Sequence, residues 1–204
     1  MLHYRTIDTK TLELLKKIQK INIFEKLLLV GGTSLALQIG HRISVDLVFF
    51  GELNVDRQEI IKELNKLGEL KTIHFTKNIN IFTLNGIKID IVNYSYPWLK
   101  PKLIIDEIKL ANVIDIAAMK ISAITGRGSM KDFIDLYFLL KQFTLQEIIN
   151  FYEQKYSDAS VFMAIKSLTY FEDADNEIMP KMFEKINWET VKSEIIKQVR
   201  NISK

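Results

Sequence analysis

The chain of 204 residues contains no cysteine. Disulfide bonds and thiolate metal sites are therefore excluded, and a reducing compartment, the cytoplasm, is expected. The chain has only three prolines and eight glycines, which argues against a disordered or low-complexity protein. It also lacks any uninterrupted apolar run of about eighteen residues, so that no membrane span is expected.

What the sequence does contain is enough apolar material for a substantial core. Hydrophobic residues make up 48% of the chain, which suffices for one core domain with a smaller helical domain beside it. The formal net charge is +3 and the isoelectric point is about 8.9. This mild basicity is compatible with nucleotide or RNA partners and is also ordinary for a lysine-rich protein.

The first half of the chain mixes helical and strand patterns. Apolar residues recur at helical spacing over 7–21, and Thr33 and Asp56 are candidate caps of helices that run to about Gly40 and Leu67. Strand-like stretches are predicted at 27–30, 44–50, 71–76, 79–84 and 87–93. Asn85-Gly86 between the last two stretches indicates a hairpin. The predicted fold class is α+β, with a small mixed, partly antiparallel sheet flanked by helices.

The second half of the chain is predicted to be a helical domain. Helical patterns occupy 112–125, 131–142, 144–155, 158–169 and 188–200. Thr144 and Glu147 fit a capping box at the start of the third of these helices. We place the boundary between the two domains near residue 100, which gives domains of residues 1–100 and 101–204.

The most informative segment begins at Gly31-Gly32-Thr33 and continues to Asp46. Two glycines at the start of a helix allow the backbone to approach a polyphosphate that the helix amides face. An acidic residue on the following strand adds a metal ligand beside that phosphate, as phosphoryl transfer requires. His41 and Arg42 follow the same helix closely enough to contact phosphate, although His41 also suits a helix end.

Residues 29–50, LVGGTSLALQIGHRISVDLVFF, resemble the AbiEii toxin family of the nucleotidyltransferase superfamily. The resemblance extends over roughly residues 25–140, because Asp90, Lys120 with Arg127, and the Lys131-Asp132-x-x-Asp135 motif follow in the family's order. It implies a nucleotidyltransferase core in residues 1–100 and a helical domain, 101–204, that completes the cleft.

The resemblance also implies an activity, cofactors and partners. The expected reaction transfers a nucleoside monophosphate from an NTP to an acceptor, with RNA as one candidate, in the presence of Mg²⁺ or Mn²⁺. A cognate antitoxin is the expected protein partner, in toxin-antitoxin or phage-defence (abortive infection) systems. The implied site residues are the catalytic Asp46, Asp90, Asp132 and Asp135, of which Asp46 and Asp90 bind metal, and the nucleotide-binding Gly31, Gly32, Thr33, Ser44, Lys120, Arg127 and Lys131.

One position departs from the family pattern. The family carries a second carboxylate two residues after Asp46, on the same face of the strand, where this chain has Val48. Valine offers no oxygen to a hard cation, so a two-metal site is incomplete. Two hypotheses therefore stay open: an active transferase, or a catalytically impaired nucleotide-binding or regulatory module.

Several candidate residues also have ordinary structural explanations. Asp90 lies in an alternating strand, where an acid commonly pairs with a lysine of the neighbouring strand. Ser129 and Asp132 fit a capping box, whereas Asp135, one turn later, is harder to explain by capping. Lys120 and Arg127, seven residues apart, would share one helix face if the helix continued past Gly126, and such a face also suits solvated cations.

Overall fold

The computed structural model describes residues 1–202, and the chain forms two compact units. The sheet unit comprises Met1–Ser95 together with Lys102–Ala111. The helical unit comprises Tyr96–Pro101 and the chain from Asn112 onward. Residues 102–111 thus return to the sheet unit after the first crossing near residue 100.

The sheet unit is built on a seven-stranded mixed sheet. The strands are β1 (Leu28–Val30), β2 (Leu47–Gly51), β3 (Leu70–Phe75), β4 (Ile79–Leu84), β5 (Ile87–Asn93), β6 (Leu103–Ile105) and β7 (Ile108–Leu110), in the spatial order β3-β4-β5-β2-β1-β7-β6. The β2–β5 and β1–β7 pairs are parallel, and the other pairs are antiparallel. The predicted α+β class with a mixed sheet is confirmed.

Three α-helices accompany this sheet: α1 (Thr9–Gln19), α2 (Gly31–Ile39) and α3 (Arg57–Asn65). The side chains of Asp8 and Asp56 accept hydrogen bonds from first-turn amides and so begin α1 and α3. Apolar side chains of these two helices share one core with alternate residues of the strands, among them Leu47, Phe49 and Ile89. Because strand side chains alternate in direction, the residues between these, Val48 and Asp90 included, lie on the opposite face.

Two details around α2 differ from the sequence prediction. The helix begins at Gly31, with Val30 as the preceding residue, so Thr33 lies inside the first turn and is not the cap. Strand β2 begins at Leu47, not Ser44, because the Ser44 amide donates to the Thr6 carbonyl and the Asp46 carbonyl accepts from the Thr33 hydroxyl, both outside the sheet ladder.

Two hairpins of the sheet unit, β4–β5 and β6–β7, show why one was predicted and the other was not. Asn85 and Gly86 both have positive φ, +51° and +82°, as the predicted Asn-Gly turn requires. Between β6 and β7 the turn is made by Asp106 and Glu107, with φ of +51° and +66°. Because that turn has no glycine and its strands have only three residues each, the β6–β7 hairpin was not predicted from the sequence.

The helical unit contains five labelled helices within the described residues: α4 (Val113–Gly126), α5 (Met130–Leu139), α6 (Leu145–Lys155), α7 (Val161–Ser167) and α8 (Trp188–Ile202). The predicted capping box of Thr144 and Glu147 is present at the start of α6. Phe133 packs in the core of this unit against Phe171 and Trp188, with ring centroids 4.9 and 5.9 Å away. Within residues 1–202, none of the helices has both the length and the apolar character that crossing a membrane requires.

A buried ion pair holds the first connecting segment to the helical unit. Lys155 Nζ lies 2.7 Å from Asp115 Oδ1, and both side chains are fully buried. Asp115 accepts hydrogen bonds from the amides of Leu99 and Lys100, and Lys155 donates to the carbonyl of Pro97. Burial lowers the pKa of Lys155, and the hydrogen bond and charge of Asp115 partly offset that effect. Every polar group of this pair therefore has a structural partner.

Candidate functional site

The glycine pair forms the turn between β1 and α2. Gly31 has φ of +67°, a conformation that side-chain-bearing residues rarely adopt, so that the helix can start directly after the strand. Val30, which precedes the helix, has no side-chain acceptor, so the first amides of α2 are not capped by that residue. These amides make the helix start suitable for an anionic group.

Gly32 is required by the close approach of an arginine. A Cβ atom built on Gly32 would lie 2.2 Å from Nη2 of Arg42 and 3.3 Å from the Ser44 hydroxyl oxygen. Arg42 is only 3% exposed, and its Nη1 donates to the carbonyl of Ile43. A buried guanidinium therefore lies against the backbone of the glycine pair and adds positive charge at the start of α2.

The hydroxyl groups of Thr33 and Ser44 connect α2 to the segment before β2. Thr33 Oγ1 lies 2.8 Å from Ser44 Oγ and hydrogen-bonds the main-chain carbonyl of Asp46 at 2.5 Å. Both residues are buried, and the Ser44 amide donates to the carbonyl of Thr6. The direct contacts of these two hydroxyls thus fix the backbone from which the Asp46 side chain projects.

Asp90 and Val48 lie side by side on the face of the sheet opposite the main core. They are paired in register on the parallel strands β5 and β2, and Ile81 pairs with Asp90 on its other side. Lys88 Nζ contacts Asp90 Oδ2 at 3.0 Å. The other oxygen, Oδ1, is buried and meets no hydrogen-bond donor from residues 1–202. Asp90 is thus paired with a lysine of its own strand, and not with one of the neighbouring strand.

The donor set at this face does not complete a two-metal site. Val48 lies beside the glycine turn, with its Cβ 3.6 Å from the position of a Cβ built on Gly31. Glu52, the next acidic residue along the chain, contacts Lys26 at 2.6 Å on the surface. Residues 1–202 hold no group of three His, Cys, Asp or Glu side chains arranged to bind a metal ion. Asp46 and Asp90 remain as a two-carboxylate set, with the free oxygen of Asp90 available to a single cation.

The later acidic residues of the predicted site form a buried ion network in the helical unit. Lys120 Nζ lies 2.9 Å from Asp132 Oδ1 and 2.5 Å from Asp135 Oδ2, and these three side chains are at most 4% exposed. Arg127 donates to both carboxylate oxygens of Asp132, at 2.8 and 3.1 Å, and the Ser129 hydroxyl donates to the same group. Asp132 is therefore saturated by the side chains of its own unit.

Charge within the network outweighs the effect of burial on Asp132. Burial raises the pKa of this carboxyl, but the charges and hydrogen bonds of Lys120 and Arg127 lower it more, and the resulting pKa lies well below the usual range. The Ser129 hydroxyl is engaged with this carboxylate and not with an α5 amide, so the predicted capping box is not formed. Asp132 is a fixed anion at neutral pH.

The cations of this network differ in their exposure. Lys120 is 3% exposed, whereas the side chain of Arg127 is 61% exposed. Helix α4 ends at Gly126, so Arg127 is its C-terminal cap residue and does not extend the face of Lys120. Lys131, in the first turn of α5, is exposed. Arg127 and Lys131 are therefore the cations of this motif that solvent reaches.

The predicted site residues fall into two groups, one in each unit. The group in the sheet unit lies at α2 and the segments beside it and consists of Gly31, Gly32, Thr33, Ser44, Asp46 and Asp90. The group in the helical unit lies in the α4–α5 region and consists of Lys120, Arg127, Lys131, Asp132 and Asp135. Lys88, which contacts Asp90, was not among the predicted residues, whereas Arg42, which was expected close enough to contact phosphate, lies against Gly32. The sequence did contain a signal for Lys88, because residues two apart on a strand share a face.

The fold and the order of these motifs are those of the nucleotidyltransferase class, and a family comparison agrees. Residues 13–201 match the model of the AbiEii family, described as nucleotidyl transferase AbiEii toxin of type IV toxin-antitoxin systems. The chain belongs to this family.

Particular relatives extend the comparison. The chain is 37% identical over 180 residues to an uncharacterized protein of Aquifex aeolicus (strain VF5). The alignment covers 85% of this chain and 87% of the relative. Among solved structures, a proposed nucleotidyltransferase of H. pylori matches with a TM-score of 0.59 and 16% identity. The match covers 96% of this chain and 95% of the H. pylori chain. MenT4, a nucleotidyltransferase toxin of Mycobacterium tuberculosis H37Rv, matches with a TM-score of 0.58 and 11% identity. The match covers 95% of this chain and 86% of the MenT4 chain. These two structures share the fold of this chain.

Proposed function

We propose that this protein transfers a nucleoside monophosphate from an NTP to an acceptor, with RNA as the acceptor to test first. The observation that carries the proposal is the carboxylate Asp90, whose buried Oδ1 lacks a donor from the described residues and which lies on the strand that pairs with β2, the strand that Asp46 immediately precedes. A carboxylate oxygen of this kind suits a cation that accompanies a substrate. Membership in a toxin family supports the choice of chemistry.

Asp46 and Asp90 would hold one divalent cation, Mg²⁺ or Mn²⁺. Such an ion, when bound, neutralises phosphate charge and favours departure of pyrophosphate. The amides of Gly31 and Gly32 at the start of α2 would bind the phosphates, with the charge of Arg42 beside them. Thr33 and Ser44 would act indirectly, because their buried hydroxyls hold the main chain at Asp46.

In the helical unit, the exposed cations are the candidates for direct phosphate contact. Arg127 and Lys131 are exposed, whereas Lys120 is enclosed by two carboxylates. We assign Arg127 and Lys131 to the phosphates. Lys120, Asp132 and Asp135 would fix the position of Arg127 and of the start of α5. We further propose the cytoplasm as the compartment and a cognate antitoxin as the regulating partner, in keeping with the type IV family.

The second candidate function is a catalytically impaired module that binds nucleotide or regulates a partner. The observation that favours it is Val48, which occupies the position beside Asp90 and next to Gly31 where a further carboxylate would complete a two-metal set. This module would retain the start of α2 as a phosphate site and lack transfer.

Incorporation of labelled NTPs into total RNA and total protein, with Mg²⁺ or Mn²⁺, separates the two functions. The parent chain is compared with Val48→Asp, with Val48→Asn as a polar control of similar size, and with Asp46→Asn as a site control. Transfer by the parent that Asp46→Asn abolishes supports the proposed enzyme. Transfer by Val48→Asp alone supports the impaired module, and the absence of transfer from every chain contradicts the enzyme.

The toxin role is tested separately in cells. Induced expression of the parent should arrest growth, Asp46→Asn should not, and co-expression of the antitoxin should restore growth. Equal growth with the parent and Asp46→Asn would contradict a toxin role that depends on this site.

A further inference from the structure

Lys88 is the residue of the sheet unit that supplies a positive charge directly to Asp90. Its Nζ lies 3.0 Å from Asp90 Oδ2, and the two side chains are 43% and 19% exposed. The residues are two apart on β5 and therefore share one face of the sheet. The lysine thus neutralises the carboxylate that is the best-placed metal ligand of this face.

The strand register places Lys88 at the start of the β2–β5 pairing. Leu47 pairs with Ile89 on these parallel strands, and Asp46 and Lys88 each precede one member of this pair along the chain. Asp46 lies before the first residue of β2, whereas the ammonium of Lys88 contacts Asp90 directly. The direct effect of the lysine on this face is therefore on Asp90.

Charge balance gives this placement a consequence. Lys88 brings one ammonium to Asp90, Arg42 adds a guanidinium at the start of α2, and Val48 contributes no charge where a further carboxylate would stand. Two divalent ions would leave such a face strongly positive, whereas one divalent ion is compatible with it. The ammonium supplies the balancing charge that a second ion would otherwise bring.

We propose that Lys88 is a built-in cation of the site that competes with a divalent ion for Asp90 and so sets the affinity of a single metal position. The inference rests on the proposed function in taking Asp46 and Asp90 as the ligands. It goes further by assigning a residue outside the family motifs to control of the metal.

The ordinary explanation of this contact is a surface ion pair. Such pairs contribute little to stability, and their loss has no effect on ligands elsewhere. The buried Oδ1 of Asp90 distinguishes the two explanations, because a carboxylate held only for a surface pair would expose its second oxygen to water or hydrogen-bond it. The metal affinity of Lys88 variants therefore discriminates between them.

The test is a titration of the intact chain with Mn²⁺ alone, followed by electron paramagnetic resonance and calorimetry. Lys88→Met keeps most of the side-chain volume and removes the charge, and Lys88→Arg keeps the charge. Lys71→Met is the matched control, because Lys71 is an exposed strand lysine paired with Glu69. Loss of one unit charge beside a divalent ion should raise the affinity of Lys88→Met about tenfold, with Lys88→Arg and Lys71→Met within about twofold of the parent.

A double variant ties the gain to Asp90. Adding Asp90→Asn to Lys88→Met should remove the increase in Mn²⁺ affinity. Unchanged or weaker binding by Lys88→Met, or no Mn²⁺ binding by any of the chains, overturns the proposal. If Lys88→Met binds Mn²⁺ more tightly but the parent chain transfers no nucleotide, only the proposed function is contradicted. If the parent chain transfers nucleotide but Lys88→Met binds Mn²⁺ no more tightly, only the role of Lys88 is contradicted.

Discussion

The sheet unit and the helical unit each contain a group of acidic residues from the family motifs. The two groups differ in the hydrogen-bond partners that surround their carboxylates. In the helical unit, Asp132 is completely buried and receives hydrogen bonds from Lys120, Arg127 and Ser129. In the sheet unit, Asp90 has one lysine contact and a buried oxygen without a donor from residues 1–202. One carboxylate is saturated, and the other is not.

The difference separates two uses of an acidic side chain. A buried carboxylate that is fully paired is integral to its unit, because removing any partner leaves a charge without compensation. A carboxylate with an unsatisfied oxygen contributes less to stability and is open to an external ligand. By this criterion the proposed metal-binding role suits Asp90, while the contacts of Asp132 suit a role in the architecture around Arg127.

The largest expected effect is the loss of the central cation of the helical unit. Lys120→Met leaves Asp135 without its lysine and Asp132 with one cation fewer, so the free energy of unfolding should fall by about 3–5 kcal/mol. Urea denaturation measures the change. Lys197→Met is the control: its exposed pair with Glu194 should contribute less than about 1 kcal/mol. Equal effects of the two substitutions would contradict a structural role of the buried network.

The pH dependence of Asp132 gives the next largest effect. The folded pKa of this carboxyl is lower than the unfolded value, so its contribution to stability is complete above about pH 4 and is lost as the pH falls further. Asp132→Asn should therefore reduce the free energy of unfolding by about 3 kcal/mol at pH 7. The difference from the parent should narrow in urea titrations below pH 4. A difference independent of pH would show that charge is not the cause.

A smaller effect is expected in the sheet unit from the hydroxyl pair at the start of α2. Thr33→Val preserves the shape of the side chain and removes the hydrogen bonds to Ser44 and to the Asp46 carbonyl. The free energy of unfolding should fall by about 1–2 kcal/mol. Thr33→Ser restores the hydroxyl and should recover most of the loss apart from a methyl group. Failure of the serine variant to exceed the valine variant in stability would contradict this role.

Much of the fold followed from local patterns in the sequence. The Asn85-Gly86 turn, the Asp56 cap and the Thr144–Glu147 capping box each depend on residues within a few positions of one another, and all are present. The β6–β7 hairpin escaped prediction because its turn lacks glycine. Helix α2 starts earlier than predicted, because a positive φ at Gly31 lets the helix begin without a capping side chain.

The candidate site was predicted as a set of residues, and their contacts with one another were not predicted. The family resemblance singled out Lys120 and Asp132, yet their contact joins residues twelve positions apart across two helices. The resemblance that singled out Thr33 and Ser44 as nucleotide-binding residues could not show that their hydroxyls face each other and the Asp46 carbonyl. Long-range packing decides which polar groups form hydrogen bonds within the protein and which remain available to a ligand.

The smallest expected effect concerns Asp90 and provides the sharpest comparison with Asp132. Asp90→Asn replaces a carboxylate that has one half-exposed lysine partner, so the free energy of unfolding should change by less than about 1 kcal/mol or should rise. The same chemical change at Asp132 should be clearly destabilising, since there it disrupts contacts with two cations. The two variants are compared by urea denaturation at pH 7 without divalent ions. A loss at Asp90 as large as that at Asp132 would mean that both carboxylates are structural, and the metal-binding role of the sheet face would have to be abandoned.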